Sequence, residues 1–257
     1  MTGTERPPRL HVVVAHPDDE TFGCGGLLLH AHAAGAETFV TCATRGEAGE
    51  DPHGRSGAEL GRVRADELHR AAARLRVREV ELLDFADSGM AGPASPGTLV
   101  GADLDHVVAQ VSTSLRRVRP DVVLTLDASD GHRDHQRIQE ATLRAAAEVG
   151  GVRAVYLACL SRSLMCRWVD RMRAAQPDKA HVREDDLVLG TPDDQISTLV
   201  DARAQRGQLE LAMAEHRSQD SPYDGLPPDL RDAFLDTARA RRVVPPWAGG
   251  PTESSLV

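Results

Sequence analysis

Short apolar runs recur along the first two thirds of this chain, at 10–15, 37–42, 79–83, 121–126 and 153–159. Most are apolar at consecutive rather than alternate positions, the pattern of a strand buried on both faces of a parallel sheet. Between them, at 24–34, 59–74, 102–117 and 134–148, apolar residues return every three or four positions, as on one face of a helix. The regular alternation, without repeats or low-complexity segments, predicts an α/β fold. We expect a Rossmann-like, doubly wound, mostly parallel sheet with helices on both faces. Two segments break the rhythm, 46–57 and 86–101, both rich in Gly, and both read as long loops at the active edge of the sheet.

The pattern loosens toward the carboxyl end. Residues 161–175 read as a helix and 182–189 as a short extended segment. Residues 192–216 read as one long helix with Leu199, Ala202, Leu209, Ala212 and Met213 along its buried stripe, and 229–242 as another helix. Residues 245–257 carry no pattern, which predicts a mobile tail or one packed through Trp247 alone. At 257 residues the chain suits a single domain spanning 1–257 that buries roughly three quarters of its unfolded surface.

The candidate chemistry sits where strands end. After the first run comes Ala15-His16-Pro17-Asp18-Asp19-Glu20, an imidazole and two aspartates in a strand-to-helix turn. The carboxyl edge of such a sheet is where ligands bind. After the fourth run comes Asp127-Ala128-Ser129-Asp130-Gly131-His132-Arg133-Asp134-His135, with His132 and His135 three apart near a helix start and able to face one side. Two His plus one carboxylate, with a further carboxylate free to act as a base, suit a hydrolytic divalent-metal site. The competing reading is that His16 and Asp19 only cap the following helix. His11, in mid-strand, reads as a core histidine, and His30, His32, His53, His69, His106 and His181 as surface residues. Gly23, Gly25 and Gly26 do not complete a dinucleotide loop, and the acidic hexapeptide would repel a pyrophosphate.

Charge and composition narrow the partners. The net charge of −9 and 3% aromatic content argue against nucleic acid and anionic membranes, which attract basic faces and stacking platforms. No apolar stretch approaches the roughly 18 residues of a membrane helix, and residues 1–9 lack a hydrophobic signal segment, so the cytoplasm is the expected compartment. Cys24, Cys42, Cys159 and Cys166 show no CxxC spacing, and Cys24 and Cys42 read as small buried hydrophobes. The partner expected is a small molecule; association into a homo-oligomer stays open.

These motifs resemble the PIG-L or LmbE-like de-N-acetylases, zinc amidases that remove acetyl groups from glucosamine-containing compounds. The family's AHPDDE stands unaltered at 15–20, and its GHPDH appears as Gly131-His132-Arg133-Asp134-His135, with Arg133 in place of proline. Asp87-Ser88-Gly89-Met90 and Ala214-Glu215-His216-Arg217-Ser218-Gln219 are weaker matches, and the resemblance spans about 9–220. It implies Zn2+ held by His16, Asp19 and His135, with Fe2+ as an alternative ion, Asp18 as the base, and a protonated His132 as oxyanion donor. It implies an amino-sugar substrate whose hydroxyls meet Arg64 and Asp87. Where mycothiol-pathway members carry Tyr, this chain has Asp130, which then adds negative charge to the substrate pocket and makes antibiotic-sugar or other acyl-amine substrates more plausible. A metal- or sugar-binding relative without turnover is the reading from another class; an intact Asp18 and His132 favour the enzyme.

Overall fold

The computed structural model describes residues 6–175 and 189–257. Five parallel strands form first: β1 (Arg9–Val14), β2 (Glu37–Cys42), β3 (Glu79–Leu82), β4 (Val122–Leu126) and β5 (Ala154–Ala158). Two more, β6 (Thr198–Asp201) and β7 (Thr237–Val244), join antiparallel, giving the order β3-β2-β1-β4-β5-β7-β6. The expected mostly parallel, doubly wound sheet is therefore present, with all five parallel strands within one residue of their expected bounds. The helices are α1 (Asp19–Phe22), α2 (Gly25–Ala33), α3 (Gly57–Arg74), α4 (Leu104–Val118), α5 (Arg133–Val149), α6 (Arg162–Ala175), α7 (Arg206–Met213) and α8 (Pro228–Leu235).

Why β1 is apolar throughout is now plain. Leu10, Val12 and Val14 pack on one face with Leu28 of α2 and Leu68 of α3, while Val13 packs on the other with Val111 of α4 and Ile138 of α5. Both faces are covered, so no position can be polar without a partner. His11 is the exception that has one. It is fully buried, and its Nε2 donates to Thr41 Oγ1 at 2.8 Å. Gly25 lets α2 approach α7, since a Cβ there would lie 2.6 Å from the Leu209 side chain. The sheet runs outward from β1 in both directions, to β2 on one side and β4 on the other. That reversal opens a crevice at the carboxyl ends of β1 and β4.

The carboxyl third departs from expectation. The long helix expected over 192–216 is a 3₁₀ turn at Asp193–Gln195, strand β6, a second 3₁₀ turn at Arg203–Gln205 and then α7. Leu199, assigned to a buried stripe, is 40% exposed, whereas Val200 is buried. Residues 229–242 are likewise split into α8 and β7. Thr237-Ala-Arg-Ala-Arg-Arg has good helix formers, but pairing with β5 and β6 overrides that local preference. The end of the chain is anchored, and not through Trp247 alone. Glu253 accepts from Tyr156 Oη at 3.1 Å and Thr198 Oγ1 at 3.0 Å, and Leu256 is buried in the core. The extended segment expected at 182–189 and His181 lie outside the described residues, Leu189 apart.

Candidate active site

The turns after β1 and β4 abut because their strands are neighbours. After β1, the Asp19 carboxylate folds back so that Oδ2 accepts the N–H groups of His16 (2.8 Å) and Ala15 (3.2 Å). Asp18 is forced to φ 129°, a conformation side-chain-bearing residues rarely adopt, and its N–H donates to Glu20 Oε2 at 2.9 Å. After β4, His132 caps α5, its Nδ1 accepting from Asp134 N at 3.2 Å. The three imidazoles then meet, with ring centroids 4.6 Å apart for His16–His132 and His132–His135 and 5.4 Å for His16–His135.

Asp19 lies between two of them. Its Oδ1 is 3.3 Å from His135 Nε2 and its Oδ2 3.6 Å from His16 Nδ1, longer than a charge-assisted hydrogen bond of about 2.7–2.9 Å. The far nitrogens are tied. His16 Nε2 donates to Asp134 Oδ2 at 3.1 Å, and His135 Nδ1 to Asp130 Oδ2 at 2.6 Å. Carboxylates behind imidazoles are how metal-ligating histidines are oriented. His132 differs: its Nδ1 accepts a backbone N–H, so in the neutral ring the proton sits on Nε2. Among the described residues, His16, His132 and His135 offer ligand atoms within 4.8 Å of one another, and so do His16, Asp87 and Asp134, so His and Asp groups able to hold a metal are present, although neither trio includes Asp19.

Five carboxylates, Asp18, Asp19, Asp87, Asp130 and Asp134, crowd this centre, and the charges respond. Burial opposes charging His16, but Asp134, Asp19 and Asp87 hold it well above the usual imidazole range. His135, also opposed by burial, is raised to about 10 by Asp19 and Asp130. Burial, with His16 and His135 nearby, pushes His132 down to about 4, which favours its neutral ring over the protonated form expected as oxyanion donor. Burial pushes Asp18 up to about 6 against the pull of Arg64, while Asp19, opposed by burial, is held well below the carboxylate range by His135 and His16.

One cavity of about 270 Å³ gathers His16, Asp18, Asp19, Arg64, Asp87, His132 and His135, with Met90 and Gln219 on its rim. The two loops expected at the active edge both reach it, through Ala48 and Gly49 and through Asp87 to Met90. Two of the residues expected to meet substrate have protein partners of their own. Arg64 is buried and already bound, donating to Gly46 O (2.8 Å), Pro17 O (2.7 Å) and Asp18 Oδ2 (2.9 Å). Gly46 and Gly49 make room for it; a Cβ at either would sit 2.5 Å from the guanidinium. Asp130 is the one expected site residue missing from this cavity. It backs His135 and lines an adjoining cavity of about 160 Å³ with Asp19, Phe22, Leu126, Leu160 and Tyr223. Asp87 keeps its expected place, its Oδ1 accepting from Gly89 N at 2.8 Å and lying 3.6 Å from His16 Nε2.

With this geometry in view, the comparisons with known proteins are decisive. The GlcNAc-PI de-N-acetylase family, PIG-L, matches residues 11–146. The chain belongs to the PIG-L family. It is 33% identical to the 1D-myo-inositol 2-acetamido-2-deoxy-alpha-D-glucopyranoside deacetylase of Geodermatophilus obscurus, covering 91% of this chain and 92% of that one. It is 35% identical to the deacetylase of the same name from Thermobifida fusca, over 82% and 83% of the two chains. The N,N'-diacetylchitobiose deacetylase of Pyrococcus horikoshii shares the fold, with a TM-score of 0.66 at 18% identity over 91% and 83% of the chains.

Several residues of this PIG-L member were not read as functional. Asp134 is fully buried and ties His16 to Ser88 N (2.9 Å), a role visible only once the turns meet. Behind Asp18, His216 Nε2 bonds Glu20 Oε1 at 2.9 Å, and Ser218 gives Glu67 its N–H (3.1 Å) and hydroxyl (2.5 Å). The late 214–219 motif thus buttresses the first turn, and its sequence signal was a polar cluster after a helix. Cys24 and Cys42 are buried as expected, and His32, His53, His69 and His106 are exposed. Among the described residues no helix is long and apolar enough to cross a membrane.

Proposed function

We propose that this PIG-L family chain is a metal-dependent amide hydrolase that removes the N-acetyl group from a small N-acetylglucosamine-containing molecule. The observation that carries the reading is the Asp19 carboxylate between two carboxylate-backed imidazoles, with Asp18 opening onto the same cavity. His16, Asp19 and His135 fit a divalent ion, Zn2+ in our reading with Fe2+ as the alternative, because His16 Nδ1, His135 Nε2 and Asp19 Oδ1 face one another while the far ring nitrogens and Asp19 Oδ2 are tied. His132 is assigned as a donor, because its cavity-side nitrogen carries the proton. An ion held there would supply Lewis acidity, able to polarise an amide carbonyl and to bring the pKa of water toward about 7.

The remaining steps belong to side chains. Asp18, poised at about 6, takes the proton of the attacking water and, once protonated, returns it to the leaving amine. Arg64 holds Asp18 in place rather than gripping a hydroxyl with a free guanidinium. His132 Nε2–H donates to the carbonyl oxygen as it gains negative charge. Asp87, kept ionised, accepts from a sugar hydroxyl at the cavity wall. A second reading, a deacylase acting on a bulkier acyl-amine such as an antibiotic sugar, draws support from the largely apolar cavity that shares Asp19 and His135 with the first.

The test is a mass-spectrometric screen of N-acetylated amino sugars, including the glucosaminyl-inositol acetamide, with metal added and with chelator. Acetate release that chelation abolishes is expected. No release from any substrate, or release indifferent to chelator, would overturn the assignment.

A further inference from the structure

Arg133 stands between His132 and Asp134, at the position where the related motif has proline, and nothing in the chemistry above uses it. Its guanidinium is turned away from the imidazoles and is surrounded by backbone carbonyls of a single loop. Nε donates to Gly89 O at 2.8 Å and Nη1 to Gly92 O at 2.8 Å, while Nη2 reaches Ser88 O and, at 3.4 Å, Ala91 O. Four carbonyls of one five-residue stretch therefore converge on one cation. Gly89 and Gly92 sit at φ 61° and 94°, conformations in which the chain can curl tightly enough to present them. A proline has no side-chain donor and would leave all four to water.

The same loop borders the active cavity. Asp87 precedes it, and Met90 lies at its crest, 69% exposed and lining the cavity beside His16, Asp18 and His132. Ser88 N is tied to Asp134 Oδ2, and Arg137 Nη2, one turn along α5 from Arg133, donates to Val100 O at 2.8 Å. The first turns of α5 thus fasten the loop, and α5 also carries His135. A planar guanidinium with several donors suits this task, because one side chain can span several acceptors in fixed directions.

We propose that Arg133 is a specificity-determining positioning residue: by fastening 88–92 to the start of α5 it fixes Asp87 and Met90 over the cavity, selecting substrates whose sugar and aglycone fit a preset rim. The sugar part of this statement rests on the proposed deacetylase reading; the fastening of the loop does not. Pre-ordering a loop removes the entropy of ordering it on binding, so its loss appears in substrate affinity more than in the chemical step.

The experiment compares the unaltered protein with Arg133→Ala and Arg133→Lys, each loaded with zinc. Amide hydrogen exchange over 86–101 is expected to accelerate by about tenfold or more in Arg133→Ala and by less in Arg133→Lys, which keeps a cation but cannot span four carbonyls. With a glucosaminyl-inositol acetamide, KM should rise about tenfold while kcat stays within about threefold, and free N-acetylglucosamine should show a smaller rise in KM. Zinc affinity, read by chelator competition, should not move. Unchanged exchange in both variants overturns the proposal, as does a fall in kcat with KM unchanged. If the unaltered protein releases no acetate, the deacetylase reading fails, and the exchange measurement still decides the role of Arg133. Should Arg133→Ala not fold, Arg133→Lys carries the same comparison.

Discussion

Residues 9–158 supply five parallel strands, of which β1, β2, β4 and β5 are almost wholly buried, whereas the described residues after 160 add an antiparallel pair at one edge of the sheet, with Leu199 exposed. Every residue we assign to the metal or to proton transfer comes from the first region. From the second, His216 bonds Glu20 behind the first turn, Ser218 bonds Glu67 of α3, and Gln219 reaches the cavity rim. The difference separates two tasks. Chemistry needs groups on a switch-point edge, which the parallel half supplies by its topology. Holding a residue at φ 129° needs a rigid backing, which is supplied by buried polar contacts from far along the chain.

The sharpest break between these tasks is a substitution that removes chemistry and leaves structure. Asp18→Asn keeps the shape of the side chain but cannot take a proton, so kcat should fall by about 10² to 10⁴ with metal content and thermal stability little changed. Metal analysis beside steady-state kinetics checks it. Loss of metal in Asp18→Asn, with Asp19→Asn retaining it, would exchange the roles of the two aspartates. The opposite case is His216→Ala. Removing one member of the buried His216–Glu20 pair leaves Glu20 without its partner, which costs about 3–5 kcal/mol of stability. Denaturant unfolding reads that loss, and the carboxyl third would prove ornamental if the midpoint did not shift.

Asp130 tests whether the second turn follows the same division. It was expected in the substrate pocket; it backs His135 and also lines the cavity that adjoins the one holding His16 and Asp18. Asp130→Asn should weaken metal binding by about 10- to 100-fold, the usual effect of losing such a partner, with little change in preference among amino sugars. Competition with a chelator measures the affinity. A change in substrate preference at constant metal affinity would restore the pocket role.

Legibility along the chain follows the same boundary. A strand such as Leu10–Val14 is apolar because both faces are covered, so its burial is written in its own residues. The turns that carry the candidate residues were equally readable, since His16 and Asp19 come just after β1, and His132 and His135 lie where the segment after β4 enters α5. Strand β7 was not readable, because Ala and Arg favour a helix locally and only β5 and β6 make it extended. Asp130, Arg64 and Asp134 show the limit within the site itself. Each lies where sequence put it, yet what each side chain touches depends on a residue dozens of positions away or on the geometry of the turn.

The smallest effect concerns the inside of the parallel half, where a buried histidine interrupts the apolar run of β1. Burial lowers the pKa of His11 to about 3, and among the described residues its Nδ1 has no partner. Folding therefore favours the neutral ring, while the unfolded chain takes up a proton near pH 6.5. The unfolded state binds more protons below that value, so stability is full above pH 6.5 and falls as pH drops toward 3. The slope is about 1.4 kcal/mol per pH unit once the unfolded histidine is charged, or roughly 1 kcal/mol between pH 6.5 and 5.5. His11→Gln retains a donor for Thr41 and cannot titrate, so its stability should lose that part of the acid slope while other groups keep theirs. Urea unfolding of both proteins at pH 7.5, 6.5 and 5.5 makes the comparison. Parallel pH profiles would mean that His11 is not buried neutral, and the parallel half would then be wetter at its centre than its apolar strands imply.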